Sequence, residues 1–195
     1  MRRLVIGMAV GALALTLVSP GASAAPSAPP PREDAVGDVA QPKGDIVTGT
    51  YTASFIDIFL TRVKGRVTLR QGSNPLTAGG WLMPATGLTM QLDTTNTHTG
   101  PDLAVVLRAV DEGGVEFVAD VTDLVANEPV FCSATASFTA PNVYKANLPA
   151  DCLPGDVTSV RGRFRMRWDT PPAGGTVTLD NSPDSGWGST LVAAP

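Results

Sequence analysis

Four arginines occupy alternate positions between residues 160 and 168, namely Arg161, Arg163, Arg165 and Arg167. Residues two apart in a strand share one face and lie about 6.6 Å from each other, so these guanidinium groups would form a row. Guanidinium groups bind carboxylates and phosphates in a bidentate manner. The row therefore indicates either an anion-binding face or a charged solvent face on which acidic neighbours offset the repulsion, with Glu116 and Asp120 as the expected partners.

A second basic run, which contains Arg62, Lys64, Arg66 and Arg70, alternates in the same way. The chain has 14 Lys and Arg residues and a formal net charge of −4, so two basic runs predict an acidic protein with a locally basic sheet face. The acidic balance argues against general nucleic-acid binding. The anion expected at an open basic face is a uronic-acid polymer or a cell-wall phosphate.

Several aspartates have a spacing that suits a metal ion. Asp34, Asp38 and Asp45 lie close together in the sequence near glycines that permit turns, and Asp93 opens a second oxygen-rich loop. Carboxylates gathered in this way are typical ligands of Ca²⁺, which is the candidate metal. Neither group has the twelve-residue EF-hand spacing, and the alternative is that these aspartates are ordinary turn residues.

Two tryptophans lie beside glycines, where an indole ring could meet a ligand. Trp81 follows two glycines and Trp187 lies between two. Indole rings in such loops can stack on sugar rings, so both are candidate ligand-binding residues. The alternative is that they close the open end of a hydrophobic core.

The sequence offers few groups for catalysis. Its single histidine is His98, and it contains no Gly-x-Ser-x-Gly elbow, no zinc-binding pattern and no phosphate-binding glycine loop. A nucleophilic triad needs an imidazole with positioned neighbours. We therefore expect a non-catalytic protein, and a hydrolase that uses two carboxylates is the enzymatic alternative.

The N-terminus has the form of a secretory signal peptide. A basic start precedes an uncharged apolar run, and small residues end at Ala24, so cleavage is expected after residue 24. Residues 25–33 are a Pro-rich leader expected to be disordered, residues 34–190 a single domain, and residues 191–195 a tail. No other segment is long and apolar enough for a membrane helix, which predicts a soluble exported protein. In an oxidising compartment, Cys132 and Cys152 are expected to form a disulfide.

The rest of the chain shows the period of strands rather than of helices. Alternating or continuous apolar runs are separated by Gly- and Pro-rich connectors, and the only ambiguous segment, residues 56–62, fits a strand or a helical turn. The pattern predicts an all-β fold: a single antiparallel β-sandwich, jelly-roll-like, with about eight or nine strands. The runs begin near residues 46, 63, 88, 103, 115, 130, 157 and 176.

Several short motifs occur in order along the chain: Asp34 to Asp38, Asp45-Ile46, Leu92-Asp93-Thr94, Pro149 to Leu153, Val160-Arg161 and Asp180 to Gly186. Together they resemble a group of small exported β-sandwich proteins of actinobacteria, which are similar to the DOMON-like superfamily with its carbohydrate-binding modules. The resemblance implies a binding activity, in some members with calcium. Members that hold haem use Met and His ligands, for which this chain has only His98 with Met83, Met90 and Met166.

The sequence therefore predicts a secreted, non-catalytic binding or cell-surface accessory module. Its expected partner is a polysaccharide or cell-wall polymer, with no nucleic acid and no membrane span. The alternative is a structural or protein-interaction domain without a small ligand. The oligomeric state and the identity of the ligand stay open.

Overall fold

The computed structural model describes residues 32–35, 37–39, 41–95, 100–170, 177–184 and 186–193. Its regular structure there is almost entirely β, with two short 3₁₀ turns at Gly79–Leu82 and Ala150–Cys152. The strands are β1 Arg32–Glu33, β2 Ile46–Ile56, β3 Phe59–Leu69, β4 Gly87–Asp93, β5 Leu103–Asp111, β6 Val115–Asp123, β7 Glu128–Val130, β8 Thr135–Thr139, β9 Val143–Pro149, β10 Ser159–Asp169, β11 Val177–Ser182 and β12 Leu191–Val192.

The strands form two antiparallel sheets, which confirms the expected all-β, antiparallel class. One sheet has the order β1-β2-β3-β9-β8. The other has the order β11-β10-β4-β5-β6-β7, and β12 pairs with the first residues of β10 beyond the end of β11. No helix among the described residues is long and apolar enough to cross a membrane.

Strict alternation in the long strands gives each sheet an apolar inner face and a polar outer face. In β3, Val63, Val67 and Leu69 are buried while Lys64 and Arg66 are exposed. In β10, the residues that alternate with the arginines are all buried, among them Phe164, Met166 and Trp168. The inner faces pack against each other in a sandwich-like arrangement, so side chains of both sheets share one core.

The two sheets pack closely where β2 and β3 carry glycines. A Cβ atom at Gly65 would lie only 2.5 Å from Sδ of Met90 and 3.1 Å from the ring of Phe164. At Gly49 of β2 it would lie 2.6 Å from that ring. Large side chains of one sheet therefore fill space that glycines of the other leave free.

An aromatic cluster closes one end of the core. Trp81 lies in the 3₁₀ turn Gly79–Leu82, and its ring centroid is 5.4 Å from that of Phe117, 4.9 Å from that of Tyr144 and 5.9 Å from that of Trp168. Its indole N–H donates to the carbonyl and hydroxyl oxygens of Ser73, so the polar end of the ring is satisfied inside the protein.

The structure describes twelve strands against the expected eight or nine, and the additional ones are β9, which the sequence runs did not include, and several short strands. Arg32–Glu33, assigned to the leader from sequence, pairs with β2, and Leu191–Val192, assigned to the tail, pairs with β10. The ambiguous segment 56–62 is a hairpin rather than a helical turn, with Asp57 at φ +54° in its tight turn. The signal peptide and residues 25–31 lie outside the described residues, and jelly-roll connectivity stays a prediction.

The expected disulfide is confirmed. Cys132 precedes β8, Cys152 ends the 3₁₀ turn after β9, and their Cα atoms are 5.2 Å apart. The bond closes a loop that contains β8 and β9, the edge of the five-stranded sheet. It therefore ties the ends of this segment together in the folded protein and keeps the loop closed when the chain unfolds.

Replacing both cysteines with serine should lower the free energy of unfolding by roughly 3 kcal/mol, because the unfolded chain regains the entropy of a loop of about 20 residues. Urea unfolding of the double variant and of the oxidised protein measures the difference. A change below about 1 kcal/mol would contradict the expected contribution of the bond.

Candidate functional site

The two basic runs do not share one face. Lys64 and Arg66 belong to β3 in the five-stranded sheet, whereas the four arginines belong to β10 in the seven-stranded sheet. Each run points away from the common core. The sandwich therefore has two separate basic outer faces instead of the single basic face expected from the sequence.

Most of the arginine row on β10 is engaged by neighbouring strands. Arg161 donates from Nε (3.0 Å) and Nη2 (2.7 Å) to Oδ2 of Asp93, which is buried. Nε of Arg163 donates to Gln91 at 2.6 Å, and Nε of Arg165 donates to Asn181 at 2.9 Å. The row therefore has cross-strand partners on β4 and β11, but of these three only Asp93 is acidic, whereas acidic partners were expected.

The partners named from sequence, however, were wrong. Glu116 and Asp120 lie on β6, and β4 and β5 separate that strand from β10. Asp120 instead accepts a hydrogen bond from Nε of Arg108 at 2.5 Å. Among the described residues, only Arg161 of the row forms an ion pair with an acid, and burial together with the nearby Arg165 lowers the pKa of Arg163.

The two tryptophans proposed to contact a ligand have different surroundings. Trp81 is only 1% exposed and packs in the aromatic cluster, so its ring closes the core and is not presented to solvent. Trp187 is partly exposed and lies over the arginine row, with its ring centroid 4.9 Å from Cζ of Arg161 and 4.8 Å from Cζ of Arg163. These cation–π contacts hold its ring on the protein surface.

A groove of about 480 Å³ crosses the outer face of the five-stranded sheet. Cross-strand neighbours form its two walls, because outward side chains of paired strands line up across a sheet. Gly65 and Ala146 lie between the walls, and their Cβ positions point toward the hydrophobic core and not into the groove. One wall is Thr52, Lys64, Asn147 and Thr135, and the other is Thr50, Arg66, Lys145 and Ser137.

The chemistry of this groove is cationic and hydroxylic. Lys64, Arg66 and Lys145 line it together with threonine, serine and asparagine, and none of the lining residues is acidic. Arg66 and Lys145 are direct cross-strand partners, an arrangement that is destabilising for like charges. None of these three cations forms an ion pair with a residue whose side chain the structure describes.

Three of the four aspartates expected to bind metal come together at one edge of the sandwich. Carboxylate oxygens of Asp34, Asp38 and Asp184 lie within 4.8 Å of one another, and so do those of Asp38, Asp45 and Asp180. Asp38 belongs to both triads, so we treat the five residues as one carboxylate cluster.

Burial and repulsion between neighbouring carboxylates raise the pKa values of two aspartates in this cluster. Burial, followed by the carboxylates of Asp180 and Asp184, raises the pKa of Asp34 to about 8. Burial, with Asp38 and Asp45 nearby, raises the pKa of Asp180 to about 6. The fold thus holds acidic groups where their charged forms are disfavoured.

The fourth expected metal ligand, Asp93, lies elsewhere. It ends β4 and accepts hydrogen bonds from Arg161 and from the Thr95 hydroxyl (3.0 Å). Asp102 of the same loop accepts from the backbone N–H of Thr94. These carboxylates have donors of their own, and His98 lies outside the described residues.

Sequence reasoning missed Lys145 in the groove and Asp180 and Asp184 in the cluster. Lys145 is the single basic residue of β9, so no basic run marks it. Asp180 and Asp184 are four residues apart in an oxygen-rich segment, a spacing like that of Asp34 and Asp38. That signal was present, but nothing local indicated that the two segments meet.

No family model matches the chain, and neither a curated protein sequence nor a solved structure matches it. The likeness to DOMON-like and carbohydrate-binding proteins therefore stays a prediction.

Replacing Asp93 with Asn should lower the free energy of unfolding by about 3 kcal/mol, because it leaves Arg161 without its buried acid. Asp120→Asn removes the exposed partner of Arg108 and should cost less than about 1 kcal/mol. Urea unfolding of both variants provides the comparison. Equal effects would mean that burial does not set the strength of the Arg161–Asp93 pair.

Proposed function

We propose that this protein is a secreted, non-catalytic binding module that holds an anionic polysaccharide or cell-wall polymer in the groove of its five-stranded sheet. The observation that carries the proposal is the set of groove cations, Lys64, Arg66 and Lys145, in a lining without acidic residues. An anion bound there would neutralise charges that the fold places side by side.

The shape of the groove favours a chain-like ligand. It crosses four strands from β2 to β8, a distance of about 14 Å at the usual strand spacing of about 4.8 Å. Hydroxyl groups of Thr50, Thr52, Thr135 and Ser137 flank the cations along this path. Such groups both donate and accept hydrogen bonds, as sugar hydroxyls require.

The arrangement of carboxylates supports a non-catalytic role over the hydrolase alternative. None of the five aspartates of the carboxylate cluster lines the groove. The groove itself has no acidic lining residue. A ligand held there would meet no general acid from those residues.

Removing a groove cation should weaken binding. Arg66→Gln and Lys145→Gln are each expected to reduce affinity for an anionic polymer about tenfold or more, since each loses a charge-assisted hydrogen bond. Isothermal titration with a uronic-acid oligomer and with a glycerol-phosphate oligomer distinguishes the two sources of negative charge. A neutral glucan oligomer serves as the uncharged ligand.

Arg167→Gln is the matched control, because Arg167 is an exposed arginine on the opposite face. It should leave affinity unchanged. The proposal would be refuted if neither anionic oligomer bound at low salt, or if the control and groove variants lost affinity equally.

The affinity should also depend on ionic strength. The groove cations are exposed or half-buried, so raising salt from about 0.01 M to 0.15 M shortens the screening length from about 30 Å to 8 Å and should weaken binding several-fold. Titrations of the same oligomer at both salt concentrations test this. An affinity that stays constant would place the ligand away from the cations.

A second candidate function, a protein-interaction domain, is favoured by one apolar feature. The hairpin between β2 and β3 exposes Ile56 (66%), Ile58 (56%) and Phe59 (44%). Sedimentation velocity of the protein and of an Ile56→Ser, Ile58→Ser double variant tests it. Self-association that the double variant loses, together with groove variants that bind anions unchanged, would favour this candidate.

A further inference from the structure

The carboxylate cluster lies where the open edges of the two sheets meet. Asp34 follows β1 and Asp45 precedes β2, both in the five-stranded sheet. Asp180 belongs to β11, the edge of the seven-stranded sheet, and Asp184 follows that strand. Oδ2 of Asp180 accepts a hydrogen bond from the backbone N–H of Ile46 at 2.5 Å, so the cluster directly joins the two sheets.

Two buried carboxylate oxygens in this cluster have no hydrogen-bond partner. Asp45 is fully buried, and its Oδ1 accepts no hydrogen bond from any described group. Asp34 is 8% exposed, and its Oδ2 is equally unsatisfied. Buried carboxylates are normally paired with donors or coordinate a metal, since otherwise their desolvation is costly.

The donors that are present do not balance the charge. Oδ2 of Asp45 accepts from the Gly37 N–H (2.8 Å) and from Nη1 of Arg70 (3.4 Å). Oδ1 of Asp34 accepts from the Ala35 N–H at 3.1 Å. Arg70 is thus the one cationic side chain in ion-pair contact with a cluster of five carboxylates among the described residues.

We propose that Asp34, Asp38, Asp45, Asp180 and Asp184 form a Ca²⁺ site that clamps the two sheet edges together. The ligand set is all oxygen, which selects a hard cation. Ca²⁺ accepts six to eight oxygen ligands in flexible geometry, which suits five carboxylates from separate segments, whereas Mg²⁺ retains several waters and few carboxylates. Asp38 and Asp184 are exposed, so an ion can enter from solvent.

This inference does not depend on the proposed polysaccharide groove, which contains none of these residues. The cluster contributes the charge that the ion neutralises, and the ion supplies the partner that the two unsatisfied oxygens lack. Calcium binding would therefore stabilise the folded protein and fix the segment from Asp34 to Asp45 against β11.

Isothermal titration of CaCl₂ into the chelator-treated protein should show saturable binding, with a weaker response to MgCl₂. At a free Ca²⁺ concentration about 100-fold above the dissociation constant, the thermal midpoint should rise by roughly 5–10 °C relative to protein in chelator. The same midpoint in Ca²⁺ and in chelator, or a preference for Mg²⁺, would overturn the proposal.

Asp38→Asn is the most informative variant, because Asp38 belongs to both triads and its exposure makes a folding defect less of a concern. It should reduce Ca²⁺ affinity at least tenfold while raising the thermal midpoint measured in chelator, since it removes one of the repelling charges. Asp156→Asn, at an exposed aspartate outside the cluster, is the matched control and should change neither value. Unaltered Ca²⁺ affinity in Asp38→Asn would overturn the assignment.

Discussion

The packing of two antiparallel sheets through their inner faces is the constraint on which the remaining features depend. β3 and β10 pass over each other closely enough that a side chain at Gly65 would collide with Met90 and Phe164. Burial of apolar side chains between the two sheets supplies the main stabilisation. Because each strand alternates, burying one half of its residues requires that the other half point outward. The two basic faces are therefore a direct consequence of how the core is built.

Although both outward rows are basic, their neighbouring strands give them different roles. The arginines of β10 lie between β4 and β11, which supply Asp93, Gln91 and Asn181 as acceptors. The cations of β3 lie between β2, whose outward residues are mainly hydroxylic, and β9, which adds another cation, Lys145. A guanidinium group that already donates to a neighbour has fewer donors left for a ligand. For this reason the proposed ligand site is the groove on β3 and β9 rather than the arginine row of β10.

Period-two alternation allowed the class, most of the long strands and the outward direction of both basic rows to be predicted from sequence, whereas β9 was missed. The disulfide followed from the presence of only two cysteines. Strand order could not be predicted in the same way, because it depends on contacts between distant segments. For that reason Glu116 and Asp120 were mistaken for partners of the arginines, and Asp93 was grouped with aspartates from which the structure separates it. The burial of Trp81 could not be predicted for the same reason, since preceding glycines fit a surface loop as well as a turn that inserts the ring into the core.

The proposed groove and calcium site share one physical feature, which is that like charges are concentrated without matching counter-charges. Repulsion between Arg66 and Lys145, and among the five aspartates, opposes folding in the absence of a ligand. Both repulsions would be relieved if the aspartates lay beside the lysines and arginines. The fold instead keeps the acids at the edge and the cations on the outer face of the five-stranded sheet. A protein whose folded state is only marginally stable tolerates such repulsion where bound ions or polymers of opposite sign relieve it. We therefore propose that the separation of charge within this acidic chain serves two ligands of opposite charge.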